Sequence, residues 1–267
     1  MALRSSIGQY YSADSFLHRL DPRVKLVGTI AFMVSCFFVN NAPGLVLASL
    51  AIATAVASSR VPARTLLAQL KPLILFLVIT SVINLFFVRT GPVAFQMGPL
   101  ALHVGGIEAA LLYTARFFLL LAAGSLLTLT TTPVALTDAA ENLLSPLERL
   151  GVPVTQATLV LSIALRFVPT LSREAEHVIA AQTARGADLE NKSAFAYARA
   201  CVPLIVPLFA SALRHAENLG RAMDARCYTG GERTHYHVMQ FSARRDGAAV
   251  AALVLYFALL AAINLAG

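Results

Sequence analysis

The chain has 267 residues, 57% of them hydrophobic and 13% charged, with a formal net charge of +7. Mean hydropathy is +0.70, and a soluble domain would carry roughly twice that charged fraction. An ordinary soluble globule is therefore excluded, and the composition is that of an integral membrane protein. Cys36, Cys201 and Cys227 are too few and too scattered for a disulfide framework or a zinc cluster. Met1 to Arg4 lead into polar sequence rather than an apolar core, which argues against a cleavable signal peptide.

The first 25 residues are polar and juxtamembrane. Their latter half reads Asp14-Ser15-Phe16-Leu17-His18-Arg19-Leu20-Asp21-Pro22-Arg23-Val24-Lys25. Asp21 can cap a helix and Pro22 suits its first turn; Arg23 and Lys25 sit where cytoplasmic flanking charges belong. Apolar segments follow at 24–39, 44–57, 72–88, 107–130 and 247–265. The first two are short for a bilayer crossing, so they are tilted, re-entrant or extended into their flanks. Asn40, Asn41, Ala42 and Pro43 make a tight turn between them.

Charge placement orients these spans. Arg4, Arg19, Arg23 and Lys25 precede the first, and Arg60, Arg64 and Lys71 lie between the second and third. Only Arg89 lies between the third and fourth. The positive-inside rule then puts the N-terminus in the cytoplasm, and five spans put the C-terminus outside. Arg116 falls inside the fourth span. Glu108 is two turns away, so another helix must satisfy the guanidinium, and a structural role inside the bundle is favoured over a transport site.

Residues 131–246 form a cytoplasmic block in which twelve Lys and Arg face eleven Asp and Glu. That balance argues against nucleic acid, which wants an unopposed basic face. Residues 137–144 read as a short amphipathic helix ending near Pro146. Leu159, Ile163, Phe167 and Leu171 stripe a first long helix, kinked at Pro169. Leu204, Ile205, Leu208, Phe209 and Ala212 stripe a second, bent at its beginning by Pro203 and Pro207.

These two helices carry one pattern twice, 41 positions apart. Arg173, Ala175, Glu176, Ala181, Ala184 and Arg185 recur as Arg214, Ala216, Glu217, Ala222, Ala225 and Arg226. A cation in the last turn followed by glycine is an ordinary helix ending, and each copy taken singly needs no other meaning. The duplication asks for more, since two equivalent arginine-tipped helices imply two equivalent receptors. Gly186 follows the first arginine and Cys227 the second. Cysteine tolerates a left-handed cap poorly, so the second helix is expected to end one turn later, near Gly230.

The triplets Ala184-Arg185-Gly186 and Ala225-Arg226-Cys227 resemble the paired Ala-Arg-Gly motifs of the transmembrane (T) component of energy-coupling factor transporters. The signature made by Asp14, Ser15, His18, Asp21, Pro22, Arg23 and Lys25 resembles the same family's N-terminal sequence, and Leu165-Arg166-Phe167-Val168-Pro169 resembles its Leu-Arg-Phe-x-Pro segment. The resemblance runs from about residue 10 to 234. It implies an all-α integral membrane protein of about five transmembrane helices with a cytoplasmic coupling domain of long amphipathic helices. Residues 1–130 and 247–267 would form the membrane part and 131–246 the coupling domain. The implied partners are two ATP-binding-cassette ATPases, of A and A′ type, and a membrane-embedded substrate-capture (S) subunit for a vitamin or transition-metal ion. ATP and magnesium would belong to the ATPases, with no cofactor on this chain, and each motif would dock one ATPase. The implied location is the cytoplasmic membrane.

Other chemistries find little support. No Gly-rich phosphate loop with Lys-Ser/Thr is present, nor Gly-x-Ser-x-Gly or His-Glu-x-x-His. His235 and His237 near Cys227 lack a properly spaced fourth ligand. The alternatives are a channel or secondary carrier with Arg116 in its path, or a membrane-bound enzyme. Copurifying ATPases would separate the first reading from both.

Overall fold

The computed structural model describes residues 10–88, 90–97, 100–186, 194–230 and 242–266. Among these, helices follow in the order α1 (Pro22–Phe37), α2 (Ala42–Ser59), α3 (Ala63–Leu70), α4 (Ile74–Phe87), α5 (Val104–Thr130), α6 (Pro133–Leu144), α7 (Val154–Ala184), α8 (Ala194–Asp224) and α9 (Arg245–Ala266). One short antiparallel hairpin, β1 (Val93–Met97) with β2 (Leu100–His103), joins α4 to α5 in register Val93 with His103 and Met97 with Leu100. The fold is otherwise all-α, as expected. His235 and His237 lie outside the described residues.

The chain forms two compact units. The membrane unit comprises Gly8–Leu143 and Met239–Gly267; the second comprises Leu144–Val238. Helix α6 belongs with the membrane unit, 13 residues beyond the boundary at 130, and buries Thr137, Ala139 and Glu141.

Helix α5 is the axis of the membrane unit. Its Leu119 and Ala123 meet Phe32, Cys36 and Val39 of α1 and its end, Ala48 of α2, and Tyr256 and Leu260 of α9. Its Ala122, Leu126 and Leu129 meet Val61, Leu66 and Leu70 around α3. Gly105 and Gly106 open this helix. A Cβ on Gly106 would stand 2.8 Å from the Leu85 and Val88 carbonyls, so α4 and α5 meet backbone to backbone there. Outward faces stay apolar: Ile30, Val34 and Phe37 on α1, and Leu75, Phe76 and Val78 on α4, are exposed. Apolar groups outside and in are what a lipid-embedded bundle requires.

Among the described residues, five helical stretches are long and apolar enough to cross a membrane: Ala42–Ser59, Ala63–Phe87, Val104–Thr130, Val154–Ala184 and Arg245–Leu265. The number matches expectation, but the set differs. Helix α1 has 16 residues and reaches only about 24 Å, short of a hydrocarbon core of about 30 Å. Helix α7 joins the set because its first half, unlike its second, is nearly free of charge.

Candidate coupling motifs and the N-terminal signature

The two copies of the repeat fold as helices of equal length, 31 residues each. Both run through their internal prolines, Pro169 in α7 and Pro203 and Pro207 in α8. Leu159, Ile163, Phe167 and Leu171 form the half-buried face of α7. The stripe expected on α8 divides into two faces. Leu204, Leu208 and Ala212 are half-buried, while Ile205 and Phe209 are exposed together with Val202, Val206 and Leu213.

The first copy ends at Ala184. Arg185 takes the cap position (φ −85°, ψ 7°), its N–H donating to the Ala181 and Gln182 carbonyls at 3.3 and 3.1 Å. Gly186 turns left-handed at φ 87°, its N–H donating to the Thr183 carbonyl at 2.9 Å. The second copy ends the same way. Cys227, at the position equivalent to Gly186, is itself left-handed at φ 55°. Its N–H donates to the Asp224 carbonyl at 2.9 Å, and Tyr228 N–H reaches back to the Met223 carbonyl at 3.1 Å. This bond pair is a complete Schellman ending with cysteine where glycine is usual. The expected shift of the helix end toward Gly230 is thus corrected. The two hydrogen bonds outweigh the left-handed cost of one residue, of order 1–2 kcal/mol.

In both copies the backbone alone closes the helix. Arg185 and Arg226 are exposed, and neither guanidinium has a hydrogen-bond or ion-pair partner among the described residues. Helix capping by the arginine side chains themselves is not what the structure displays.

Between the tips the helices meet at equivalent residues. His215 Nε2 lies 2.7 Å from Glu174 Oε1, and these residues are 41 positions apart, the repeat offset itself. The Phe167 ring lies 5.9 Å from the His215 ring, and Ser211 stands beside the Glu174 carboxylate. Ser211 pairing with Glu174 while His215 reaches back to Phe167 gives the helices an antiparallel sense. A residue that touches its own counterpart marks a local two-fold axis. From that crossing, Arg185 and Arg226 are each eleven residues along their helices, about 16 Å, in opposed directions.

A contact independent of the repeat fixes the start of α7. Glu148 Oε1 accepts from the Thr155 N–H at 2.8 Å and from the Thr155 hydroxyl. The hydroxyl first, and the amide second, hold the Glu148 carboxyl below its ordinary range. Sequence reasoning missed this cap because the carboxylate comes from the preceding 3-10 turn.

In the membrane unit the N-terminal signature is a knot of polar contacts. Asp21 caps α1, accepting from Arg23 N–H at 2.8 Å, with Pro22 in the first turn as expected. Lys25, buried, donates from Nζ to the His18 and Thr130 carbonyls, both at 3.1 Å. His18 Nε2 lies 2.9 Å from the Tyr11 carbonyl, so that nitrogen carries the proton. In the neutral ring Nδ1 then accepts from the buried Ser15 hydroxyl at 2.7 Å. Asp14 pairs with Arg19, whose hydrogen bond holds the Asp14 carboxyl below its ordinary range. Arg60 Nη1 donates to the Asp14 carbonyl at 3.3 Å.

The partner that sequence reasoning missed is Asp246, 1% exposed at the start of α9. Its carboxylate accepts from Asp21 N–H at 2.9 Å and Ser242 N–H at 2.6 Å. Through it the signature ties the beginnings of α1 and α9 to the end of α5. An acid immediately before the last apolar run was the available signal.

Arg116 is met by another element, as expected, although its Nε is buried without a partner among the described residues. Its guanidinium donates to the Val39 carbonyl and to Asn40 Oδ1 at 3.3 Å, and lies 5.4 Å from the centre of the Tyr113 ring. The Val39 carbonyl lies just beyond the end of α1, where a cation complements the helix dipole.

Comparison with known proteins agrees with this architecture. Residues 13–236 match the CbiQ family, described as a cobalt transport protein. The chain is 43% identical over 238 residues to the energy-coupling factor transporter transmembrane protein EcfT of Ruminiclostridium cellulolyticum, covering 89% of each. It is 40% identical over 255 residues to the EcfT of Bacillus subtilis, covering 95% of this chain and 96% of that protein. A putative ABC transporter ATP-binding protein of Bifidobacterium longum is 42% identical over 252 residues, which cover 94% of this chain but 32% of that protein. The chain belongs to the CbiQ/EcfT family, the transmembrane proteins of energy-coupling factor transporters.

Proposed function

We propose that this chain is a coupling subunit, joining two ATP-binding-cassette ATPases to a membrane-embedded S subunit and importing a vitamin or transition-metal ion. The observation that carries the proposal is the pair of equal helical arms, crossing at equivalent residues and tipped by Arg185 and Arg226, which have no partner among the described residues. A guanidinium is a planar fork of donors suited to carboxylates and backbone carbonyls, so each tip is built for a protein receptor. The Bifidobacterium longum relative supports the pairing, since a chain named for ATP binding contains a segment like this one. ATP and magnesium belong to the ATPases, and this chain performs no chemistry of its own. The exposed apolar face of α8, from Val202 to Leu213, suits an apolar membrane partner such as the S subunit. Substrate choice lies with that subunit.

The test is Arg185→Glu, Arg226→Glu and the double variant, in the assembled transporter. Each single change abolishes uptake while the chain still inserts, and the double change also releases the ATPases, because truncating a buried charged contact costs about 2–5 kcal/mol. Lysine at either place restores uptake only in part, for want of the fork. Normal uptake with ATPases retained in the double variant would overturn the proposal.

The same reading places α7 and α8 in the cytoplasm, with the N-terminus inside and the C-terminus outside the cytoplasmic membrane. Single cysteines at Ser6, Gly91 and Gly267 report this. Impermeant reagent on intact cells labels Gly91 and Gly267 positions but not Ser6; the reverse pattern sinks the topology.

A further inference from the structure

Four helices of the membrane unit leave a space between them. Helices α1, α2, α5 and α9, with Phe16, Leu17 and Leu20 at one end, line a half-enclosed cavity of about 440 Å³. Small residues make the room: Gly28, Ala51, Ala55, Ala123, Ala249 and Ala252. The lining runs over residues 51–58, 123–130 and 249–256, about two turns or 10 Å along each helix.

The chemistry of the walls narrows what belongs there. Water needs two to four polar partners, and of the five lining hydroxyls only that of Thr29 is without a partner among the described residues. Thr54, Ser58 and Thr130 donate to carbonyls of their own helices, and the Tyr256 hydroxyl pairs with Ser35. An empty space of this size forfeits the dispersion contacts that hold a bundle together. A slender apolar chain is what remains.

One end of the cavity is polar. Lys25 Nζ has three donors, and the His18 and Thr130 carbonyls take two. The third has no acceptor among the described residues. Asp21 and Asp246 stand near the same ammonium, so no net positive charge is left over for a phosphate. A neutral carbonyl suits that donor.

We propose that this cavity holds an acyl chain of a membrane phospholipid, with its ester carbonyl at Lys25 and its tail between α1, α2, α5 and α9. The headgroup plays no part in recognition. The lipid is a structural filler of the bundle on the side where the N-terminal signature closes it.

Two measurements on the full chain test this. Native mass spectrometry of the detergent-purified protein retains one phospholipid per chain, of mixed headgroup; a chain that carries none overturns the proposal. In vesicles of phosphatidylethanolamine and phosphatidylglycerol, trace phosphatidylcholine or phosphatidylglycerol with a diazirine on one chain labels residues 51–58 and 249–256 equally for both headgroups. Ala55→Leu with Ala252→Leu fills the space and loses that labelling, with continued protection of the buried Cys36 thiol reporting a folded chain; Val27→Leu, on the outward face of α1, does not. Label spread evenly over Val27, Ile30 and Val34, labelling unchanged in the double variant, labelling confined to one headgroup, or those segments crosslinking to a partner protein would each reject it.

Discussion

The two units are held together by different means. The membrane unit is tied by buried polar contacts between residues far apart in sequence, Asp21 with Asp246 and Lys25 with Thr130, over two apolar clusters. In α7 and α8, among the described side chains, only Val154 and Thr158 are buried, and one half-exposed pair, Glu174 with His215, marks the crossing. The first unit finishes its own structure. The second leaves arginine tips and an apolar stripe exposed. On the proposed function, stability and coupling are thereby separated along one chain, and substitutions should fall into two classes.

The largest expected effect breaks function without stability. Arg185→Glu with Arg226→Glu removes uptake altogether, yet alters folding by no more than the about 0.3–1 kcal/mol of a cation at a helix end. The chain has no tryptophan, so unfolding is best followed through reaction of the buried Cys36 thiol with a fluorogenic dye. A large drop in unfolding temperature would mean that the arginines belong to the fold.

The converse substitution is Asp246→Ala. It strands two buried backbone donors and uncouples Lys25 from a nearby charge, which costs about 3 kcal/mol. The same dye assay should show early unfolding, and ATPase copurification should fall only in step with it. An unfolding temperature equal to wild type would reduce the signature to a surface feature.

Cys227→Gly sharpens the comparison from the other side. Relief of left-handed strain, less the added entropy of the unfolded chain, gives a net gain of about 0.5 kcal/mol. Hydrogen exchange over Met223–Tyr228 should slow slightly and uptake should hold. A large loss of uptake with normal assembly would give the thiol a role of its own.

The smallest effect concerns Glu148. Its carboxyl is held below the ordinary 4.5 in the folded chain, so its contribution is present above that value and fades as pH falls through the lower, folded one. Protection of the Thr155 amide, corrected for intrinsic exchange, should be flat from neutral pH and decline only below about 4.5. Glu148→Gln should abolish the titration; an unchanged titration would place its cause elsewhere.

What the sequence made legible was periodic or repeated. The 41-residue offset located the end of α7 and paired Arg185 with Arg226, although the end of α8 was expected a turn further on, and apolar runs located α2, α4, α5 and α9. What it concealed depended on distant partners or on competition between local terms. Asp246 became central only because folding brings it to Asp21, 225 positions away. Periodicity marked the stripe of α8 but could not say that Leu204 packs inward while Ile205 does not. Residue preference argued against a left-handed Cys227, and backbone hydrogen bonds overrode it. The hairpin after α4 was missed, although Val93, Phe95 and Met97 alternate with Ala94 and Gln96 along its first strand.

The short α1 has a consequence for the bilayer itself. Arg116, Asn40 and Asn264 gather around the carbonyls that end this helix, Asn264 donating to Phe38 at 3.1 Å. Arg116 lies fourteen residues from Thr130, about 21 Å along α5, while a hydrocarbon core is about 30 Å thick. A helix this short is accommodated in a bilayer by local thinning, by snorkelling of long side chains such as Arg116, or by association with a neighbour.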